Sequence, residues 1–191
     1  MALPEFDQRG LLPAFVGNDA TTHDRSPYFC TMSDLCASLG TTDRRRQLLK
    51  SLISYRALIG SDDYVNGVQF IDGSFVENVE MIEERPPNDI DVFSMLVPPA
   101  KYQNSSANWT TQGLPFWQSE IADNARNKAR FSVDCYALML DVQSPSAFLR
   151  QALYWYGLFS HKRKTYEWKG FVAVPLNATN DQFALATIGR P

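Results

Sequence analysis

Residues 71–96 read IDGSFVENVEMIEERPPNDIDVFSML. The stretch begins as the end of an apolar run, VNGVQFI (65–71), which predicts a buried strand ending at Asp72. Gly73 and Ser74 form a turn, and FVENVEM (75–81) predicts a short helix. Pro86 and Pro87 mark a loop, after which DIDVFSMLV (89–97) is a second apolar strand. Side chains alternate along a strand, so Asp89 and Asp91 share one side, about 7 Å apart by Cα, while Ile90 and Val92 face a core.

Two neighbouring carboxylates repel, and a shared divalent cation with oxygen ligands, Mg²⁺ or Mn²⁺, relieves that repulsion. A pair of exposed acids at a strand mouth is the plainer reading of the same residues. The Gly73-Ser74 turn presents backbone N–H groups and a hydroxyl where phosphate oxygens can sit, although Gly-Ser is also an ordinary turn dipeptide. A third acid, Asp134, lies inside the apolar strand FSVDCYALML (131–140), where an unpaired carboxylate is costly to desolvate. It needs a partner, or else it faces the surface.

Outward from this centre, residues 1–30 carry Pro4, Pro13, Pro27, Gly10 and Gly17 and predict an extended arm anchored by Leu11, Leu12 and Phe15. Ser33 is the expected cap of a short helix to Leu39, and Gly40 its stop. Thr42 or Asp43 opens a longer helix with Leu48, Leu49, Leu52, Ile53 and Tyr55 inside and Arg44, Arg45, Arg46 and Lys50 outside. The polar stretch 101–113 reads as a long loop, followed by a helix with Phe116, Trp117 and Ile121 inside and Arg126, Lys128 and Arg130 towards its end. Pro145 opens another helix, whose Phe148, Leu149, Leu153, Trp155, Tyr156 and Phe159 read as core, with base stacking by Trp155 or Tyr156 as the alternative. The basic turn HKRK (161–164) is either a solvated helix end or a phosphate or RNA contact. KGFVAVPL (169–176) is a last strand. The fold class expected is α+β: a small mixed sheet flanked by helices, in one domain, 1–191, with a core at 60–140.

The chain has 191 residues, 45% apolar and 13% aromatic, enough for a substantial core. Its net charge of −3 is uneven: residues 60–99 hold nine acids and one base, Arg85, a local −8, with Glu80, Glu83 and Glu84 read as a solvated loop. Such a balance disfavours nonspecific wrapping of nucleic acid and suits metal ions flanked by basic segments. The three cysteines, Cys30, Cys36 and Cys135, lack a CxxC pair and read as reduced and structural. No apolar run reaches membrane length, and the acidic start MALPEFDQRG is unlike a secretion signal, so a cytoplasmic protein is expected, in which the sequons at Asn104, Asn108 and Asn177 go unused. His23 and His161 share no metal-ligand spacing with other residues.

An apolar residue, Gly-Ser, a spacer, Asp-apolar-Asp-apolar and a later carboxylate resemble the signature of the nucleotidyltransferase superfamily, which includes polymerase β-like enzymes and bacterial minimal nucleotidyltransferases. LPEFDQRGLLP (3–13), YWYGLF (154–159) and KGFVAVPL resemble the flanks of an uncharacterised bacterial family of such domains. The resemblance implies a nucleotidyltransferase fold, with Gly73 and Ser74 holding a triphosphate, and with Asp89, Asp91 and Asp134 binding Mg²⁺ or Mn²⁺. It implies transfer of an NMP from an NTP, ATP among them, to a hydroxyl on a protein, an RNA such as a tRNA end, or a small molecule. The setting it suggests is a toxin–antitoxin or phage-defence system with a cognate partner protein. A catalytically inactive nucleotide sensor or partner-binding protein on the same fold is the alternative. The 14-residue acidic spacer 75–88 exceeds the family's usual spacing, and whether Gly73-Ser74 still meets the aspartates is the question it poses.

Overall fold

The computed structural model describes residues 2–140 and 144–188. Its centre is a mixed five-stranded sheet in the order β1-β5-β2-β3-β4, formed by β1 (Tyr28–Phe29), β2 (Gly67–Asp72), β3 (Ile90–Leu96), β4 (Val133–Met139) and β5 (Val172–Pro175). β2 runs antiparallel to β3 and β5, whereas β4 is parallel to β3 and β1 parallel to β5. This is the expected α+β class.

Helices α1 (Met32–Leu39) and α2 (Asp43–Gly60) cover one sheet face, where Leu35, Leu49, Leu52 and Tyr55 pack against Ile71, Val92, Val133 and Val172. Cys30, Cys36 and Cys135 are free thiols buried in this core; burial raises those of Cys30 and Cys36 to about 12, which leaves them unreactive. Residues 145–159 form α5, after α3 (Val79–Ile82) and α4 (Asn124–Phe131), and α5 brings Trp155 and Phe159 onto Phe70, Phe93 and Phe171 of the opposite face. A last helix, α6 (Ala178–Thr187), is capped by Asn177, whose side chain accepts from the N–H of Asn180. Among the described residues no helix is long and apolar enough to cross a membrane.

Several local expectations change. Thr31, not Ser33, caps α1, through a capping box with Asp34 that satisfies two backbone N–H groups at once. The segment 75–81 is not one helix: a 3₁₀ turn (Gly73–Val76) ends at the extended residue Glu77, and Asn78 caps α3. Residues 100–121 are largely helical, with two π turns, because Tyr102, Trp109, Phe116 and Trp117 supply the apolar contacts that the polar composition hid. The helix break lies at Asp123, which caps α4. In α5, Phe148, Leu149 and Leu153 are exposed, and only the Trp155–Phe159 end reaches the core. Trp155 is buried, stacked on Phe93 with Tyr136 tilted beside it, each 4.7 Å away by centroid, so its ring is not open to a base, while the partly buried Tyr156 meets Phe171 edge-on.

The arginine run on α2 is the largest correction. Arg45 is 2% exposed, with its guanidinium bonded to both carboxylate oxygens of Glu80 (2.7 and 2.8 Å) and to the carbonyls of Phe75 and Glu77. Arg44 donates to the carbonyls of Pro87 and Asn88. The acidic spacer is thus pinned at both ends to α2, and Glu80 belongs to the fold and not to a solvated loop. Deeper in the same layer, Arg56 forms a bidentate pair with Asp181 and reaches Gln69, which in turn donates to Ser94, tying α2, α6, β2 and β3 together.

Hydrogen bonds from Arg45 hold the Glu80 carboxyl below its ordinary value. A depressed carboxylate stabilises the fold above its unfolded value and loses that contribution as pH falls through the native one. Glu80→Gln therefore costs about 1–2 kcal/mol at neutral pH, and urea melts of variant and wild type converge as pH falls through the lowered native value of Glu80; a gap that stays constant with pH contradicts this assignment.

Candidate active site

Strand register decides the geometry. Asp72 of β2 lies opposite Asp91 of β3, and Asp91 lies opposite Asp134 of β4. Directly opposed residues project from the same face, so three carboxylates form one row across adjacent strands, and Asp89, two residues before Asp91, joins that side. The row sits at one end of the sheet, on the face that carries Phe93 and Tyr136 further along.

Each acid has a different environment. Asp72 is buried and its carboxyl is pushed up to about 6 by desolvation, against the pull of Lys169, whose ammonium lies 2.7 Å away. Burial disfavours the charge on Lys169, but Asp72 and Glu77 (3.0 Å) outweigh it and hold the ammonium protonated. Asp91 is raised, first by burial and further by Asp89 and Asp134, with Arg163 (3.2 Å) acting in the other direction. For Asp134, hydrogen bonds from Asn124 and Lys128 outweigh burial and lower it overall. Lys128 bridges Asp89 (2.8 Å) and Asp134 (2.9 Å), so those two carboxylates lie within reach of one cation.

Gly73 answers the question posed by the long spacer. Its φ is +77°, and a Cβ placed on it would lie 1.8 Å from Oδ2 of Asp91. Only glycine both adopts this left-handed turn and leaves the carboxylate its place. Arg44 and Arg45 hold the spacer to α2, and Gly73 stays against Asp91. A cleft of about 260 Å³ opens here, lined by Gly73, Ser74, Asp89 and Asp91 and reached by the spacer residues Glu83, Arg85 and Asn88, with His161, Lys162, Arg163 and Lys164 on its other wall. The basic turn and the acid row, 70 residues apart in the chain, thus meet. A larger cavity, about 450 Å³, lies under the N-terminal arm beside Leu3, Phe6 and Thr42. Its buried charge, Arg45, has every guanidinium nitrogen engaged.

Among the described residues, Asp72, Glu77, Asp89, Asp91 and Asp134 pair directly with Lys169, Lys128 and Arg163 alone, which leaves this cluster negative. Hard carboxylate oxygens with a negative excess suit Mg²⁺ or Mn²⁺. Among the described residues no three His, Cys, Asp or Glu side chains already converge as ligands; Lys128 stands between two of the candidates. Its side chain is 48% exposed, and a divalent cation that took the place of its ammonium would find the carboxylates of Asp89 and Asp134 as donors. Gly73, Ser74, Asp89 and Asp91 are therefore brought together in one cleft, while Asp134 lies beside Asp91 in the sheet and shares Lys128 with Asp89 but is not among the residues that line that cleft. Lys128, Lys169 and Asp72 were not singled out by the sequence. A lysine immediately before an apolar strand and an acid closing another were the available signals.

Gly73→Ala is expected to destabilise the fold by about 1–2 kcal/mol from backbone strain alone, with displacement of Asp91 in addition. Gly60→Ala, at the end of α2 with nothing within 4 Å, leaves stability unchanged or raises it by up to about 1 kcal/mol. Urea denaturation of both variants checks the contrast, and equal effects contradict the contact described.

No curated protein matches the chain, and no solved structure matches it. A family model does match, over residues 4–175, and by that match the chain belongs to DUF6932, a family of unknown function.

Proposed function

We propose that the cleft binds a nucleoside triphosphate with Mg²⁺ or Mn²⁺ and transfers the nucleoside monophosphate to a hydroxyl of an acceptor. The observation that carries this reading is the row Asp91–Asp134 with Asp89 on the same side and Gly73 in contact with Asp91. The mixed sheet, with β2 and β3 antiparallel around the Gly-Ser turn and β4 parallel to β3, supports a nucleotidyltransferase fold. Acceptor classes carried from the resemblance are a protein, an RNA such as a tRNA end, or a small molecule.

Gly73 lets the turn lie directly against the Asp91 carboxylate, and the Ser74 hydroxyl donates to phosphate oxygens. Asp89 and Asp91 supply the oxygens that hold the cation, and Asp134, kept ionised by Asn124, orients the acceptor hydroxyl. When bound, the divalent cation neutralises charge on the phosphoryl oxygens and eases ionisation of the hydroxyl. The acceptor oxygen forms a bond to the α-phosphorus, the bond from that phosphorus to the α–β bridging oxygen breaks, pyrophosphate leaves with the electron pair, and the hydroxyl proton passes to solvent.

Incubation with each α-labelled NTP, Mg²⁺ or Mn²⁺, RNA and lysate protein is expected to place label on an acceptor. Asp89→Ala or Asp134→Ala lowers transfer by at least about a hundredfold, and Asp134→Ala retains NTP binding. Transfer that persists in Asp89→Ala contradicts the proposal.

A second reading, a nucleotide sensor without transfer, is favoured by one contact: the Lys128 ammonium already neutralises Asp89 and Asp134. Lys128→Met separates the two. If the pair serves a metal, the variant binds Mn²⁺ about tenfold more tightly in a calorimetric titration, since the competing ammonium is gone. Mn²⁺ affinity unchanged from wild type contradicts metal binding at this pair.

A further inference from the structure

Three consecutive cations, Lys162, Arg163 and Lys164, follow α5. Their simplest role is to cap that helix, and the structure gives the role to other groups. The Ser160 hydroxyl donates to the Tyr156 carbonyl (2.5 Å), and Nδ1–H of His161 donates to the Gly157 carbonyl (3.0 Å). Among the described residues none of the three cations donates to the carbonyls that end α5.

They are carried on a closed loop. The N–H of Lys162 donates to the Glu167 carbonyl and that of Tyr166 to the Lys162 carbonyl. At the base, His161 and Trp168 form a bridge, and the N–H of Lys169 donates to the Ser160 carbonyl. The Thr165 hydroxyl donates to the Glu167 carboxylate (2.6 Å). This loop forms the wall of the cleft facing Gly73, Ser74, Asp89 and Asp91.

Unpaired lysines occur elsewhere, Lys50 on the exposed face of α2 among them, but among the described residues only those of the loop lie in the cleft. Lys101 lies between Asp62 and Asp63, Lys128 between Asp89 and Asp134, and Lys169 between Asp72 and Glu77. Among the described residues neither Lys162 nor Lys164 has a carboxylate partner. Arg163 is 74% exposed and reaches only Asp91, at 3.2 Å. The cleft therefore combines carboxylates with Lys162 and Lys164, which have no carboxylate partner among the described residues, and with Arg163, which is paired to Asp91. Such a cleft fits a ligand that presents several linked phosphates to the loop and their cations to the acids.

We propose that Lys162, Arg163 and Lys164 form the subsite for the β- and γ-phosphates of a nucleoside triphosphate, so that the cleft selects a polyphosphate over a monophosphate. The proposal rests on the functional reading above and assigns to this loop the grip on the pyrophosphate that leaves. Lys162 and Lys164 carry the test, because Arg163 also touches Asp91.

Isothermal titration in Mg²⁺ with ATP, AMP and inorganic tripolyphosphate decides it. The wild type binds ATP and tripolyphosphate well and AMP far more weakly. Lys162→Ala/Lys164→Ala lowers affinity for ATP and tripolyphosphate by at least about tenfold and leaves AMP unchanged, and Lys162→Arg/Lys164→Arg restores both. A double-alanine variant that binds ATP as the wild type does, or that loses AMP and ATP equally, overturns the subsite while leaving nucleotide binding intact. Loss confined to a labelled RNA oligomer assigns the loop to an RNA backbone and also overturns it. A wild type that binds none of the three overturns the subsite and the functional reading together.

Discussion

Carboxylates on three adjacent strands, facing the same way and in register, repel one another, and a sheet tolerates such a row only if cations are brought to it. Asp72, Asp91 and Asp134 form that row, and the rest of the molecule is arranged around neutralising it. Lys169 arrives from the segment before β5 and is buried against Asp72 and Glu77. Lys128 comes from α4 and Arg163 from the loop after α5. The charges differ in permanence. Lys169 is 2% exposed and structural, while Lys128 and Arg163 are held at the surface, where a ligand can replace them.

Precise placement of the row depends on the opposite layer. Arg45 fastens the carbonyls of Phe75 and Glu77 and the carboxylate of Glu80, and Arg44 fastens Pro87 and Asn88. Those bonds convert a long acidic spacer into a fixed connection between the Gly-Ser turn and Asp89. Removing a partner from a buried guanidinium costs more than the pair contributes, because the charge remains. The α2 arginines thus act on the site from a distance, through the backbone they hold, and Gly73 passes that placement directly to Asp91.

Much of this was legible in the sequence where a local pattern has one physical outcome. Apolar runs broken by Gly-Ser and Pro-Pro gave the β2 and β3 strands, and alternation put Asp89 and Asp91 on one side. Asp134 was legible as an acid too costly to leave unpaired in an apolar strand. What stayed hidden depends on long-range partners. The run Arg44-Arg45-Arg46 looks the same whether a carboxylate 35 residues away meets it or not. The pairing of β3 with β4, which converts three separate acids into a row, is a matter of register. Residues 100–121 carry too many polar side chains to announce a helix, and α5 carries more apolar surface than the core takes. The basic loop was visible, but its position opposite the aspartates was not.

The central claim, that this row holds a divalent cation beneath a triphosphate, is tested most directly by a crystal structure with Mn²⁺ and a non-transferable ATP analogue, using anomalous scattering at the manganese edge. The account predicts a manganese peak about 2.1 Å from oxygens of Asp89 and Asp91, the Lys128 ammonium withdrawn from Asp134, and phosphates between Gly73-Ser74 and the loop 162–164. A structure in which Lys128 still bridges Asp89 and Asp134, with the analogue and manganese both absent from the cleft, contradicts it.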